Sequence, residues 1–328
     1  MKESGNQKDT IKRVAYAVKK GTEAGGEKAV AAVKEAAAKT KNAVTASQKA
    51  AINALDQDGN GELDSNDLIL MALKVPGVRI NRAEFLKKEL YKNHTADQIE
   101  LAVANTPAKA GIDSKEIDKI AEEVIKFERN SVSGISAALG LPGGVAQAAT
   151  IPADIAQYYG YMLRAAQKLL YLYGFPELDT SENGLQIDSE TLNSLTLCLG
   201  IMYGVANANN AIKAMARALA AGVEKKLLRA ALTKGTIYPI VKSVASWFSV
   251  RMTKQVFAGF FKTAIPIVGG VIGGGLTFAT FKPCCNRLKD ALKDTMLSNP
   301  EHISTVEENQ IFEEIENATI IEEAHNGN

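Results

Sequence analysis

NSVSGISAALGLPGGVAQAATIPADIAQYYGYMLRAAQKLLYLYGF, residues 130–175, decides the fold. From Ser131 to Ala153 it carries no charge, and it is broken at Pro142-Gly143-Gly144 and again at Pro152. The expectation is two short helical pieces that turn back on each other. From Asp154 the pattern changes. Asp154, Gln157, Tyr158, Tyr161, Arg164 and Lys168 then share one face of a helix, and Ile155, Met162, Ala166, Leu169 and Leu170 share the other. A proline just before the start and an acid in the first turn suit a helix N-terminus. Gly174 is the expected C-cap.

Outward from this helix the remaining segments also read as helix. IDSETLNSLTLCLGIMYGVANANNAIKAMARALAAGV (187–223) gives a helix pair, followed by VEKKLLRAALTK (223–234) and YPIVKSVASWFSVRMTKQVFAGFFK (238–262). Thr263–Phe281 is nineteen residues without a charge and holds five glycines. Gly269/Gly273 and Gly270/Gly274 have the spacing that lets helix backbones cross closely. Gly costs a soluble helix about 1 kcal/mol relative to Ala, and Pro266 is expected to kink or split this one. The fold class is all-α: a helical bundle with Gly/Pro-broken apolar hairpins.

Upstream stands DQDGNGELDSND, residues 56–67. Oxygen-bearing side chains recur at alternate positions, and Gly61 sits sixth. The stretch resembles an EF-hand loop over about residues 44–74. The resemblance implies cation ligands at Asp56, Asp58, Asn60, Glu62 (through its carbonyl), Asp64 and Asp67, with a left-handed turn at Gly61. AVTASQKAAINAL before it and DLILMALKV after it read as the flanking helices. Position twelve is Asp67, one methylene shorter than the usual glutamate. That weakens a bidentate grip and admits Mg2+ beside Ca2+. RINRAEFL (79–86) and GIDSKEID (111–118) repeat the second half of the loop. Each reads as a capped helix start, or as a degenerate partner loop whose Ile80 or Ile112 meets Leu63.

LGLPGGVAQAATIPADIAQYYGYMLRAAQKLLYLYGF, followed at a distance by AIPIVGGVIGGGLTFATF, resembles the EcsC family of bacterial proteins over about residues 128–295. The resemblance implies a helical, membrane-associated domain. Some members of that family are labelled hydrolases. The organisation expected is an Ala/Lys-rich helical arm over 1–43, an EF-hand-like helical region over 44–127, the EcsC-like domain over 128–295 and an acidic tail over 296–328.

The formal net charge of +1 conceals opposed blocks. Residues 1–50 carry eleven Lys/Arg against five Asp/Glu, and residues 213–289 carry thirteen against Glu224 alone. From Asp294 onward there are nine acidic residues and no Lys or Arg. A basic surface facing an anionic partner is implied, with an acidic tail able to compete for it. In that tail Val306, Ile311, Phe312 and Ile315 have helical spacing. The basic block has few interleaved aromatics, so nucleic acid is not the expected partner. The polar opening MKESGNQKDTIKR is not a signal peptide. Three cysteines, Cys198, Cys284 and Cys285, make no disulfide framework and favour a reducing cytoplasm.

Catalytic motifs are sparse. There is no G-x-x-x-x-G-K-[ST], H-E-x-x-H or C-x-x-C, and Gly134-Ile135-Ser136-Ala137-Ala138 lacks the last glycine of a nucleophile elbow. The histidines, His94, His302 and His325, lie outside the expected core domain. Asp154, Tyr158 and Arg164 form the one polar cluster with catalytic character. The sequence therefore favours a non-enzymatic, divalent-cation-responsive helical protein, cytoplasmic and peripheral to or partly inserted in the inner face of the cell membrane. Its partner is an anionic membrane surface or a membrane protein. The alternatives are a hydrolase-like enzyme acting on lipid or peptide through the Asp154/Tyr158/Arg164 cluster, and a soluble interaction scaffold.

Overall fold

The computed structural model describes residues 56–57, 59, 64–139, 147–179, 187–252 and 270–326; side chains in 133–155, 250–279 and 318–326 are not described. The expected arm over 1–43, the helix before the loop, Asp58, Asn60, Gly61, Glu62, Pro142-Gly143-Gly144 and Pro266 lie outside the described residues. All described residues fall in one compact unit, Leu55–Asn328.

Among them are eleven helices and no strand, so the fold is all-α. The helices are α1 Ser65–Leu73, α2 Arg82–Leu90, α3 Ala96–Ala104, α4 Ser114–Leu139, α5 Gln147–Leu172 and α6 Ser189–Tyr203. They continue with α7 Ala208–Ala220, α8 Lys225–Thr233, α9 Tyr238–Met252, α10 Gly270–Lys293 and α11 Val306–Asn326.

The helix starts follow from short polar caps. Asp64 caps α1 and accepts from the Asn66 N–H, while Asp67 at N3 reaches back to the Asp64 N–H. Asn81 caps α2 through the Glu84 N–H at 2.8 Å. Asp113 accepts from the Lys115 N–H at 2.7 Å at the head of α4. The backbone N–H of Ile80 goes to Gln167 and that of Ile112 to the Pro107 carbonyl. Both repeated half-motifs are therefore helix caps; Leu63, which the partner-loop alternative needs, lies outside the described residues.

The decisive stretch folds differently at one point. Its apolar pieces are not short: they are the end of α4 and the start of α5, each a 26-residue helix. α5 begins at Gln147, and Pro152 falls inside it rather than before it. At the sixth position Pro152 removes a single intrahelical bond, and a charge-free run does not itself end a helix. At the other end Gly174 has φ +91°, and the Phe175 N–H bonds the Leu170 carbonyl, closing α5 as a Schellman cap.

α5 is the axis of the bundle. Met162, Leu163, Ala166, Leu169 and Leu170 are buried, but so are Tyr158, Tyr159 and Gln167 on its other sides. It packs against α1, α4 and α10, and α4 and α10 pack against each other most extensively of all. The second axis is α6, which touches α1, α7, α8, α9 and α10 and is almost entirely buried from Thr191 to Met202. Phe127 and Glu128 stand in the middle of α4, so the helix runs continuously through residue 128.

Buried polar groups join these helices. Gln167 donates to the Val78 and Leu163 carbonyls and accepts from the Ile80 N–H. Arg82 donates to the carbonyls of Ala102, Val103 and Asn105 at the end of α3 and to that of Phe175. A guanidinium there satisfies carbonyls with no intrahelical partner and meets the negative end of the helix dipole. Burial holds its pKa below the ordinary arginine range.

Candidate functional site

Of the six residues with cation-ligand spacing, Asp56, Asp64 and Asp67 are described. Asp56 Oδ1 accepts from the Gly59 N–H at 2.7 Å. This closes a local side-chain-to-backbone turn over residues 56–59. Gly59 at position four of the loop has φ +74°, a conformation glycine adopts without strain. Asp67 is fully buried. Its Oδ1 accepts from the Gln57 N–H at 2.6 Å and its Oδ2 from the Asp64 N–H at 3.0 Å. One carboxylate therefore ties the second residue of the stretch to the ninth. Lys74, just past α1, donates to Gln57 Oε1 at 2.6 Å and anchors the same end.

Asp64 and Asp67 sit at the mouth of α1, where unpaired N–H groups and the helix dipole favour negative charge. A carboxylate oxygen carries two lone pairs, so accepting one N–H does not preclude coordinating a cation. Among the described residues no three His, Cys, Asp or Glu side chains converge closely enough to hold a metal. Asp58, Asn60 and Glu62 lie outside those residues.

The second polar cluster contains Arg164. Its Nε donates to Glu128 Oε2 at 3.0 Å, and its Nη1 donates to the Gly77 carbonyl in the turn after α1. Lys168 Nζ lies 2.6 Å from Glu128 Oε1 and near the rings of Phe85 and Phe127. Glu128 is fully buried, so one carboxylate on α4 takes two cations from α5. Tyr158, on the same helix as Arg164, has other partners. It packs edge-on against Tyr159 and Phe281 and hydrogen-bonds Thr280. Burial pushes its hydroxyl pKa far up. The side chain of Asp154 is outside the described set. The structure thus joins Arg164 to Glu128, a residue that sequence pattern did not single out. Their separation of 36 positions leaves no local signal.

The cysteines are buried, and burial pushes the Cys198 thiol up to about 12 and raises Cys284 and Cys285 as well. The acidic tail carries a site of its own kind. His302 sits between Asp294 and Glu308, with Nδ1 2.8 Å from Asp294 Oδ1 and Nε2 2.9 Å from Glu308 Oε2. No described helix is long and apolar enough to cross a membrane. No family model, curated protein or solved structure matches the chain.

Proposed function

We propose that this chain is a non-enzymatic, divalent-cation-responsive helical protein of bacterial EcsC type that works at an anionic membrane surface. The observation that carries the reading is the closure of the 56–67 stretch by Asp67. The shortened twelfth side chain spans from Gln57 to Asp64 while Asp56 turns back on Gly59. A loop already pinned at both ends has less entropy to lose on taking up a cation. Ca2+ or Mg2+ would be held by Asp56, Asp58, Asn60, Asp64, Asp67 and the Glu62 carbonyl.

The membrane half of the reading is supported by charge. Lys225, Arg229, Lys234 and Lys242 are exposed on and between α8 and α9, in a region whose one acid is Glu224. Each such residue near an anionic bilayer contributes about 1 kcal/mol. In sequence the charge-free 263–281 stretch follows α9 after ten further residues, Lys254 and Lys262 among them. The test is flotation of the full chain with vesicles of phosphatidylglycerol or of phosphatidylcholine, with calcium or with chelator. The protein is expected to float with the anionic vesicles alone, in an amount that changes with the cation. Absence from both vesicle fractions sinks the membrane reading.

A further inference from the structure

Residues 208–252, from α7 through α9, carry eight Lys/Arg and one acid, whereas α11 carries seven glutamates and no Lys or Arg. These opposed elements are in contact: α11 packs against α7 and α8. Phe312 and Ile315 are its buried anchors. The Arg217 guanidinium of α7 stacks 4.0 Å from the centre of the Phe312 ring and donates to Asn309. Lys213, one turn earlier, pairs with Asp294. Two cations of α7 are thus occupied by α11 and its lead-in.

A polar chain fastens the lead-in. It runs from Lys213 on α7 to Asp294 after α10, then through His302 to Glu308 in the first turn of α11. The His302 side chain is 2% exposed and that of Glu308 0%. Ser304 Oγ donates to the same carboxylate at 3.0 Å. Meanwhile Glu307, Glu313, Glu314 and Glu316 of α11 are exposed. With α11 in place this side of the molecule presents carboxylates, and an anionic surface is repelled. With α11 away, Lys213 and Arg217 join the exposed cations of α8.

We propose that α11 is a built-in competitor for the cationic face of α7 and α8, latched through His302, and that an anionic bilayer displaces it. This rests on the membrane reading above. The direct measurement is hydrogen exchange along α11 in the full chain, with vesicles containing phosphatidylglycerol and with vesicles of phosphatidylcholine alone. Anionic vesicles should speed exchange in α11 by on the order of tenfold or more, and zwitterionic vesicles should leave it unchanged. The double substitution Phe312→Ala, Ile315→Ala loosens docking without altering charge. It should tighten binding to anionic vesicles by about tenfold. If that variant does not fold, His302→Gln, which cuts the bridge and keeps the apolar anchors, should act in the same direction. Wild-type protein bound to anionic vesicles with α11 as protected as in the free protein overturns the competitor and leaves the membrane reading intact. Binding by both proteins, tighter for the loosened variant, supports it. Binding by neither protein overturns both.

Discussion

Glu128 on α4 and Arg164 on α5 face each other between the two packed helices, and the Glu128 carboxylate has no solvent exposure. Lys168 approaches the same carboxylate from one turn further along α5. Arg164 also reaches the Gly77 carbonyl. One buried anion therefore fastens α4 to α5, and its principal partner fastens α5 to the turn behind α1. The cluster links the turn after α1 to α4 and α5.

Removing the anion strands two cations in a low-dielectric site. Breaking a buried pair from one side costs about 3–5 kcal/mol. Glu128→Ala should lower stability by that order in urea unfolding. Arg164→Leu leaves Glu128 its lysine and should cost less. Equal, sub-kilocalorie effects of both would show that the cluster is effectively solvated.

The sequence made the local devices legible and the long-range ones not. Asp64, Asn81 and Asp113 are readable as caps because a short polar side chain and a following acid solve the N-terminal donor problem within four residues. Gly174 is readable because only a left-handed position ends α5 so sharply. The end of α4 and the start of α5 were not, since the absence of charge marks neither a stop nor a turn. Glu128 and His302 gave no signal, because their partners are set by how distant helices meet. Of the loop, position twelve was readable as a compromise, but not that Asp67 would close the stretch on Gln57.

A close crossing of α6 and α9 depends on Gly200. A Cβ there would lie 2.7 Å from Val244 Cγ2 and 3.0 Å from Cγ1. Overpacking of this kind costs about 1–3 kcal/mol. Gly200→Ala should be destabilising by that amount, and Val244→Ala added to it should restore part of the loss. A strictly additive double mutant in thermal unfolding would show that the two residues do not share the space.

The lead-in to α11 has a signature at low pH. Hydrogen bonding to Lys213, and then to His302, holds the Asp294 carboxyl below its usual pKa range. A depressed folded-state pKa means the group stabilises the fold above its unfolded pKa of about 3.9, and loses that contribution as pH falls through the lower folded value. Asp294 is half exposed, so the effect is small. Asp294→Asn should expose α11 to faster exchange near neutrality, and its difference from wild type should shrink as pH drops below about 4. A difference that persists unchanged into strong acid would show that the carboxylate's charge does not hold the segment.

The central claim is that residues 56–67 take up one divalent cation, and calorimetric titration of the full chain with calcium and then magnesium tests it most directly. The account predicts a single saturable site, abolished by Asp56→Ala. It also predicts calcium affinity raised by Asp67→Glu, which restores the missing methylene at position twelve. No heat from either cation in folded protein, or binding that survives Asp56→Ala unchanged, would contradict it.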